Sequence, residues 1–161
     1  MKELEGRAAI VTGGGQGIGR AIAAKLLKAG AELMIADVDA SLAEKTAKEL
    51  SKKKARSIAT QVDVTQEKSV KEMMETALNE LGKVDILINN AGIMFRTRIQ
   101  DITLDEWEKT LEVNLTGPFL CTQAVLPAMK KNSYGRIVNI SSSAGRSVST
   151  LGGAHYTASK A

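Results

Sequence analysis

The sequence predicts an α/β fold built on a doubly wound parallel sheet. Short aliphatic runs alternate with longer amphipathic stretches along the chain, and a run of glycines follows the first aliphatic run. The aliphatic runs are nearly continuous rather than alternating, as in strands buried on both faces of a parallel sheet. Strand–helix–strand units repeated in this way imply right-handed crossovers and helices on both sheet faces.

Five strands and four helical stretches are predicted in turn. The strands are Ala8–Val11, Leu33–Ala36, Ser57–Val62, Val84–Ile88 and Ile137–Ile140. The helices are about Gly17–Ala29, Ala40–Lys52, Gln66–Leu81 and Leu104–Lys131. Gly117-Pro118 predicts a kink or break in the last helix, because proline lacks the N–H that a helix interior requires. Thr103 or Asp105 can cap the start of that helix.

Composition and charge narrow the class of protein. The 161 residues are 43% hydrophobic, which is enough for one core, and carry a net charge of +4. The dense basic run, Lys52–Lys54 with Arg56, has no interleaved aromatics, so we expect a solvated helix end and no nucleic-acid partner. Cys121 is the single cysteine and is expected to be a buried structural thiol in a reducing compartment.

Two further patterns concern location. No apolar run approaches the roughly 18 residues of a membrane span, so no membrane partner is expected. The first residues lack the apolar stretch and cleavage site of a signal peptide. We expect a cytoplasmic protein.

The glycine-rich turn joins the first predicted strand to the first helix. Gly13, Gly17 and Gly19 are spaced G-x-x-x-G-x-G. Glycine lets the backbone approach a pyrophosphate, and a helix N-terminus offers free amides and the positive end of its dipole. A plain tight turn is the alternative, but the position between strand and helix favours a dinucleotide-binding loop in a Rossmann-like fold.

Asp37 ends the second predicted strand, about 20 residues beyond the glycines. A carboxylate there can accept hydrogen bonds from the ribose hydroxyls of NAD and would repel the 2′-phosphate of NADP. Gln16 carries no positive charge and no arginine follows Asp37, so NAD is expected over NADP. The alternative role for Asp37 is a helix cap, which Asp39 or Ser41 could supply instead.

Together with later motifs, these residues resemble the short-chain dehydrogenase/reductase family over the whole chain. The motifs occur in the family's order and at about its spacing. They are Thr12-Gly13-x-x-x-Gly17-Ile18-Gly19, Asp63-Val64, Asn89-Asn90-Ala91-Gly92, Asn114, the serines at 141–143 and Tyr156-x-x-x-Lys160. The resemblance implies an oxidoreductase that transfers a hydride between a nicotinamide cofactor and a secondary alcohol or ketone.

The resemblance also implies roles for individual residues. Tyr156 would be the catalytic acid/base, with Lys160 one helical turn away, since a neighbouring ammonium favours the phenolate form of a phenol. Asn114 would hold a water that links Lys160 to solvent. Asp63 would contact adenine. The full set of expected cofactor-binding residues is Gly13, Gln16, Gly17, Ile18, Gly19, Asp37, Asp63, Val64, Asn90, Ala91, Gly92, Tyr156 and Lys160.

Two residues near the catalytic pair leave alternatives open. Ser142 aligns best with the family's catalytic serine, whereas counting back from Tyr156 leads to Ser143; we choose Ser142. His155, the single histidine, cannot form a metal cluster alone, and no metal is expected. We expect His155 to be a loop residue near the substrate entrance rather than an acid/base.

The resemblance further implies that this sequence lacks the family's last strands and helices. We expect one dinucleotide-binding domain over residues 1–161, incomplete at its C-terminal end, with strand order 3-2-1-4-5 and an open edge at the fifth strand. Sugar alcohols and 3-oxoacyl thioesters are both plausible substrates. The family's pairing of the fourth helix across a dimer implies a homo-oligomer. The alternative function is a catalytically impaired dinucleotide-binding fragment.

Overall fold

The computed structural model describes residues 2–51, 56–147 and 152–161. Within these ranges five parallel strands form one sheet in the order β3-β2-β1-β4-β5, which confirms the predicted Rossmann-like class. The strands are β1 (Ala8–Thr12), β2 (Glu32–Asp37), β3 (Ser57–Gln61), β4 (Ile86–Asn89) and β5 (Arg136–Asn139). The basic run at Lys52–Lys54 falls outside the described residues.

Six α-helices are seen in the same ranges. They are α1 (Gly17–Ala29), α2 (Ala40–Leu50), α3 (Glu67–Leu81), α4 (Leu104–Leu111), α5 (Gly117–Lys131) and α6 (Ala154–Lys160). The Asp39 side chain accepts hydrogen bonds from Ser41 N–H and Leu42 N–H, and Thr103 accepts one from Glu106 N–H. Asp39 rather than Ser41 therefore caps α2, and Thr103 rather than Asp105 caps α4. Over the described ranges, no helix has the length and apolar character needed to cross a bilayer.

The core lies on both faces of the sheet. Ile10 of β1 is in register with Met34 of β2 and Leu87 of β4, and all three belong to a cluster with α3 and α5. Val11 and Ile35 face the opposite side, where α1 and α2 cover them. Both side-chain directions of the central strands are thus apolar and buried, which explains the continuous aliphatic runs. Cys121 lies in the first cluster, and burial raises the pKa of its thiol to about 12.

The predicted break in the fourth helical stretch is confirmed and takes the form of a wide turn. Residues 112–116 form a π-helical segment between α4 and α5, in which Gly117 N–H donates to Glu112 C=O. Pro118 has no N–H to offer the carbonyl of Asn114, so a regular α-helix cannot continue through this point. The wide turn carries Asn114, which is buried.

β5 lies at one edge of the sheet that these residues form, paired with β4 through Asn89 and Asn139. Val138 is 46% exposed, in contrast to the buried β1 and β4. Three apolar side chains of the wide turn and α5 are also exposed, namely Leu115, Phe119 and Leu126. The β5 side of the molecule therefore has more uncovered apolar surface than the centre of the sheet.

Candidate active site

The carboxyl ends of the strands open into one groove. Its volume is about 670 Å³. The lining residues follow β1, β2, β3 and β4 and include α4 and the wide turn. They are Gly13, Gln16, Asp37, Val38, Val62, Asp63, Val64, Thr65, Asn90, Ala91, Gly92, Ile93, Asp105, Glu108, Lys109, Glu112 and Val113. Open α/β sheets bind their ligands at this edge, where the strand order reverses between β1 and β4.

The glycine turn forms an open cradle at the start of α1. Gly13 and Gly17 have φ values of +61° and +55°, a region that favours glycine. A Cβ added at Gly17 would meet no atom within 4 Å, whereas one at Gly13 would lie 2.9 Å from the Cα of Ala91. Gln16 precedes α1 without a side-chain cap, so the first amides of the helix have no side-chain acceptor. These features fit a bound pyrophosphate.

Two polar residues hold this turn against the loop after β4. Asn90 Nδ2 donates to the carbonyls of Thr12 and Gly13, each at 3.0 Å. The buried Thr12 Oγ1 accepts from Asn90 N–H at 3.1 Å and from Ala91 N–H at 3.2 Å. Sequence reasoning assigned no role to Thr12, although a hydroxyl at the end of an otherwise aliphatic strand was the available signal. Thr12 and Asn90 together fix the floor of the groove.

Asp37 lies at the end of β2 and is buried beside the glycine turn. Its Oδ2 accepts from Gly15 N–H at 2.9 Å, and its Oδ1 accepts from Asp39 N–H at 3.2 Å. Thr46 Oγ1, also missed by sequence reasoning, donates to Gly15 C=O at 2.7 Å. Val38, the next residue after Asp37, is 64% exposed at the rim of the groove and carries no charge.

The remaining expected cofactor residues fall into two groups. Asp63 and the buried Val64 line the groove after β3, and Asp63 Oδ1 accepts from Thr65 N–H at 3.0 Å and from Thr65 Oγ1–H at 2.8 Å. Ile18 is 67% exposed on the outer face of α1, away from the groove lining. Gly19 packs directly on the carbonyl of Gly13, where a side chain has no room.

Tyr156 and Lys160 lie on α6, beside the groove. Lys160 is half-buried, and its Nζ donates to Ile140 C=O at 2.9 Å; burial lowers the pKa of this ammonium. Tyr156 is partly exposed. A Cβ placed on Gly92 would lie 3.4 Å from Lys160 Nζ and 3.2 Å from Asn114 Oδ1. Residues from the loop after β4, the wide turn and α6 therefore meet at one end of the groove.

Asn114 connects the wide turn to two other segments. Ile93 N–H donates to Asn114 Oδ1 at 2.8 Å, and Asn114 Nδ2 donates to Ile93 C=O at 2.9 Å. Asn114 Nδ2 also lies 3.0 Å from Ser159 Oγ, a partner on α6 that sequence reasoning did not identify. In the described part of the chain, no direct hydrogen bond joins Asn114 to Lys160. The Asn114 amide thus joins the wide turn to the loop after β4 and to α6, the helix that carries Tyr156 and Lys160.

The three consecutive serines after β5 have different surroundings. Ser141 Oγ donates to the carbonyl of Lys160, which ties the strand end to α6. Ser142 is partly buried, and its Oγ accepts from Ala144 N–H at 3.2 Å at the start of a short 3₁₀ turn. Ser143 is exposed, and its carbonyl accepts from Arg146 N–H. Of the two candidates, Ser142 has the more restricted side chain.

His155 differs from expectation. It is the second residue of α6 rather than a loop residue, and its side chain is fully buried against Phe95 and Glu106. The helix begins at Ala154, so the side chain next to Tyr156 is turned into the protein interior. A sequence with one histidine gives no signal that its ring packs inside.

A parallel sheet with a glycine cradle, a carboxylate after β2 and a Tyr/Lys helix defines the class of nucleotide-binding α/β proteins. The model of the protein family described as "short chain dehydrogenase" matches residues 7–161, and the chain belongs to this family. A crystal structure titled "gox2181" superposes with a TM-score of 0.93 at 38% identity. The alignment covers 98% of this chain and 62% of the other.

Curated relatives give the same result. An "Uncharacterized oxidoreductase" of Thermotoga maritima is 40% identical over 86% of this chain and 54% of its own length. A "3-oxoacyl-[acyl-carrier-protein] reductase" of Synechocystis sp. is 36% identical over 100% of this chain and 65% of its length. The "(2S)-[(R)-hydroxy(phenyl)methyl]succinyl-CoA dehydrogenase subunit BbsD" of Thauera aromatica is 36% identical over 96% of this chain and 60% of its own length. The chain thus spans between about half and two thirds of these relatives.

Proposed function

We propose that this protein is an NAD-dependent oxidoreductase that acts on a secondary alcohol or ketone, with Tyr156 as acid/base. The observation that carries the proposal is the meeting of Gly92, Asn114 and Lys160 at the end of a groove that begins at the glycine cradle. A dinucleotide lying along this groove has its phosphates at one side and the Tyr156 helix at the other. When bound, the nicotinamide supplies or accepts the hydride.

The cradle and the strand ends bind and orient the cofactor. The open space at Gly17 and the uncapped amides at the start of α1 hold the pyrophosphate. Asp63 and Val64, which line the groove after β3, contact the adenine. Asn90, Ala91 and Gly92 border the nicotinamide half. Asp37 holds the adenosine ribose, and the uncharged Val38 beside it offers nothing to neutralise a 2′-phosphate, so NAD is preferred over NADP.

The catalytic residues transfer one proton and form a hydrogen bond with one substrate oxygen. Tyr156 exchanges the proton with the substrate oxygen, and Ser142 donates a hydrogen bond to that oxygen. Lys160 provides a positive charge one helical turn from Tyr156 and contacts the cofactor ribose. Asn114 holds a water that connects Lys160 to solvent; its fixed position between Ile93 and Ser159 supports this role.

Among the substrates expected, the thioester is favoured. One relative is named as a reductase of a 3-oxoacyl group on an acyl carrier protein, and another as a subunit of a dehydrogenase of a CoA derivative. A sugar alcohol is the alternative. The free thiol of Cys121, buried in the core, is consistent with a cytoplasmic setting.

The first test is a titration with NADH and with NADPH, followed by energy transfer from Trp107. Trp107 is on α4, the helix whose Asp105 and Glu108 line the groove, so energy transfer to bound reduced nicotinamide should quench its emission. We expect saturable binding of NADH that is tighter than binding of NADPH. Equal or tighter NADPH binding would contradict the assignment of Asp37, and binding of neither would contradict the cofactor site.

Turnover separates the enzyme from an impaired dinucleotide-binding fragment. We expect NADH oxidation with acetoacetyl-CoA, and a loss of roughly 10²- to 10⁴-fold in the Tyr156→Phe variant, the usual contribution of an acid/base group. NADH affinity should change much less than turnover in that variant. Turnover with a ketose instead of the thioester would favour the sugar-alcohol alternative. NADH binding without turnover of either substrate would favour the fragment.

A further inference from the structure

His155 is a buried side chain next to Tyr156 that has no part in the chemistry proposed above. Its Nε2 lies 2.9 Å from Oε1 of Glu106 on α4. Its ring stacks on Phe95, with ring centroids 6.1 Å apart and 13° between the ring planes. The imidazole therefore contacts two segments of the chain that both border the candidate active site.

Two neighbours of His155, Gly153 and Glu106, are themselves held by hydrogen bonds. Gly153 N–H donates to Phe95 C=O at 3.0 Å, and a Cβ on Gly153 would lie 2.6 Å from His155 Nδ1. Glu106 is held by its own backbone, because its N–H donates to Thr103 Oγ1 at 3.2 Å and its C=O accepts from Thr110 Oγ1 at 2.7 Å. Only glycine at 153 leaves room for the ring where it lies.

Packing alone does not account for a histidine at this position. Within the described residues, neither ring nitrogen has an aligned hydrogen-bond partner, and the contact with Glu106 is close but not in line. A buried imidazole without an aligned partner is less favourable than a phenylalanine of similar shape. The feature that only histidine provides is a nitrogen facing the Glu106 carboxylate.

Helix geometry converts this contact into a constraint on Tyr156. Successive side chains of an α-helix are about 100° apart around its axis, so the inward direction of His155 sets the direction of Tyr156. α6 has only seven residues, and its second residue is the one anchored to α4 and to Phe95. A rotation of the helix that moved Tyr156 would have to break both contacts of His155.

We propose that His155 is a positioning residue, whose contact with Glu106 and stacking on Phe95 hold the first turn of α6 and thereby orient Tyr156. The proposal rests on the function proposed above, since orientation affects the reaction only when Tyr156 is the acid/base. His155 neither touches the substrate nor carries the transferred proton.

The test compares variants that separate ring packing from the nitrogen contact. His155→Phe keeps the stacking on Phe95 and removes the nitrogens. His155→Gln keeps an N–H that can reach Glu106. Glu106→Gln alters the other side of the contact, and Glu44→Gln, the same change at an exposed site on α2, is the control.

The first readout needs no cofactor or turnover. Hydrogen exchange of the α6 amides and the ¹³C signal of labelled tyrosine are measured in a Tyr134→Phe background, which leaves Tyr156 as the single tyrosine. We expect at least tenfold faster exchange in α6 and a broadened, shifted Tyr156 signal for His155→Phe and Glu106→Gln. Glu44→Gln should resemble the parent protein. His155→Gln, which keeps an N–H but loses the stacking on Phe95, should lie between His155→Phe and the parent.

The second readout is kinetic. We expect kcat with acetoacetyl-CoA to fall at least tenfold in His155→Phe while NADH affinity is unchanged. His155→Gln should recover only part of this loss, because it restores the contact with Glu106 but not the stacking on Phe95. Parent-like exchange and Tyr156 signal in His155→Phe, or a parent-like Glu106→Gln, would overturn the proposal, because stacking would then suffice. Parent protein that binds no NADH or turns over no substrate would instead contradict the proposed function, whatever the exchange data show.

Discussion

The Asp37 carboxylate stabilises the glycine turn, and under the proposed function it would also select the cofactor. Its two oxygens accept from Gly15 N–H and Asp39 N–H, so the side chain is fixed before any ligand arrives. A carboxylate that is already oriented loses little side-chain entropy on binding a ribose diol. A ribose-binding role for Asp37 was predicted from its carboxylate and its position at the end of the second strand. Its hydrogen bond with Gly15 N–H could not be predicted, because that bond depends on the folded glycine turn.

Asp37→Asn is expected to reduce the discrimination between the two cofactors. Removing the negative charge abolishes repulsion of a 2′-phosphate and weakens the bonds to the ribose, so the ratio of NADPH to NADH dissociation constants should fall about tenfold, or about 1.4 kcal/mol. Fluorescence titration measures both constants. Asp39→Asn is the matched control, because asparagine still caps α2 and the ratio should not change. An unchanged ratio in Asp37→Asn would exclude its charge as the selector.

Burial of Lys160 has a consequence for stability against pH. Its pKa is lowered in the folded protein, so between that value and the ordinary pKa of lysine the unfolded chain binds more protons than the folded one. The free energy of unfolding contributed by this residue therefore rises with pH through that window. Urea unfolding between pH 8 and pH 10 should show a small upward slope that Lys160→Met lacks. A parent slope equal to that of Lys160→Met would contradict the effect of burial.

At the scale of elements, the break between α4 and α5 illustrates what sequence reasoning can and cannot reach. Gly117-Pro118 predicted an interruption through local chemistry alone. The wide turn at residues 112–116, and the fact that it presents Asn114 to the active site, depend on bonds to Ile93 and Ser159 that lie 21 and 45 residues away. The strands and the candidate helix caps could also be predicted, because their signals are local patterns in the sequence.

Asn114→Ala is expected to loosen the wide turn. Three hydrogen bonds of a buried amide are lost and their partners are left unpaired, which should cost roughly 2–4 kcal/mol in the free energy of unfolding. Chemical denaturation measures this value. Asn132→Ala, an exposed amide at the end of α5, is the control and should change stability by less than about 0.5 kcal/mol. Equal, small effects of both substitutions would show that Asn114 does not hold the turn.

His155 and the Thr12–Asn90 contact show the limit of sequence reasoning about the site. The expected groove residues were identified by their motif, and most of them line the groove. The interior position of His155 could not be predicted, and the hydroxyl of Thr12 gave a signal without its partners, since the partners of both residues are distant in sequence. Asn90 and Thr12, for example, are 78 residues apart.

At the scale of the whole molecule, the exposed apolar side chains of α5 and β5 lead us to expect self-association. Phe119 is 59% exposed, and Leu115, Leu126 and Val138 are exposed on the wide turn, α5 and β5. Exposed apolar groups in this number favour self-association in water. We therefore expect the 161-residue chain to form a homodimer or a larger oligomer through this surface.

Light scattering coupled to size-exclusion chromatography tests this expectation. The parent chain should elute as a dimer or larger at about 50 μM, and Phe119→Glu should shift it toward the monomer, since a buried unpaired charge is unfavourable. Ile99→Glu, at an exposed apolar residue outside α5, is the control and should leave the oligomer unchanged. A monomeric parent chain, or equal effects of the two substitutions, would contradict an interface on α5.

Of the five described strands, the central strand β1 is synthesised first, and its two neighbours in the sheet, β2 and β4, are synthesised at very different times. β2 emerges soon after and can pair with β1, whereas β4 and the Asn90 amide that closes on Gly13 come only after the whole of α3 has been made. Pairing between such distant segments is slow and must wait for synthesis. The nascent chain can therefore close its glycine turn only after Asn90 has been synthesised and has left the ribosome. Shorter nascent chains would contain the glycines without the hydrogen bond from Asn90 to Gly13.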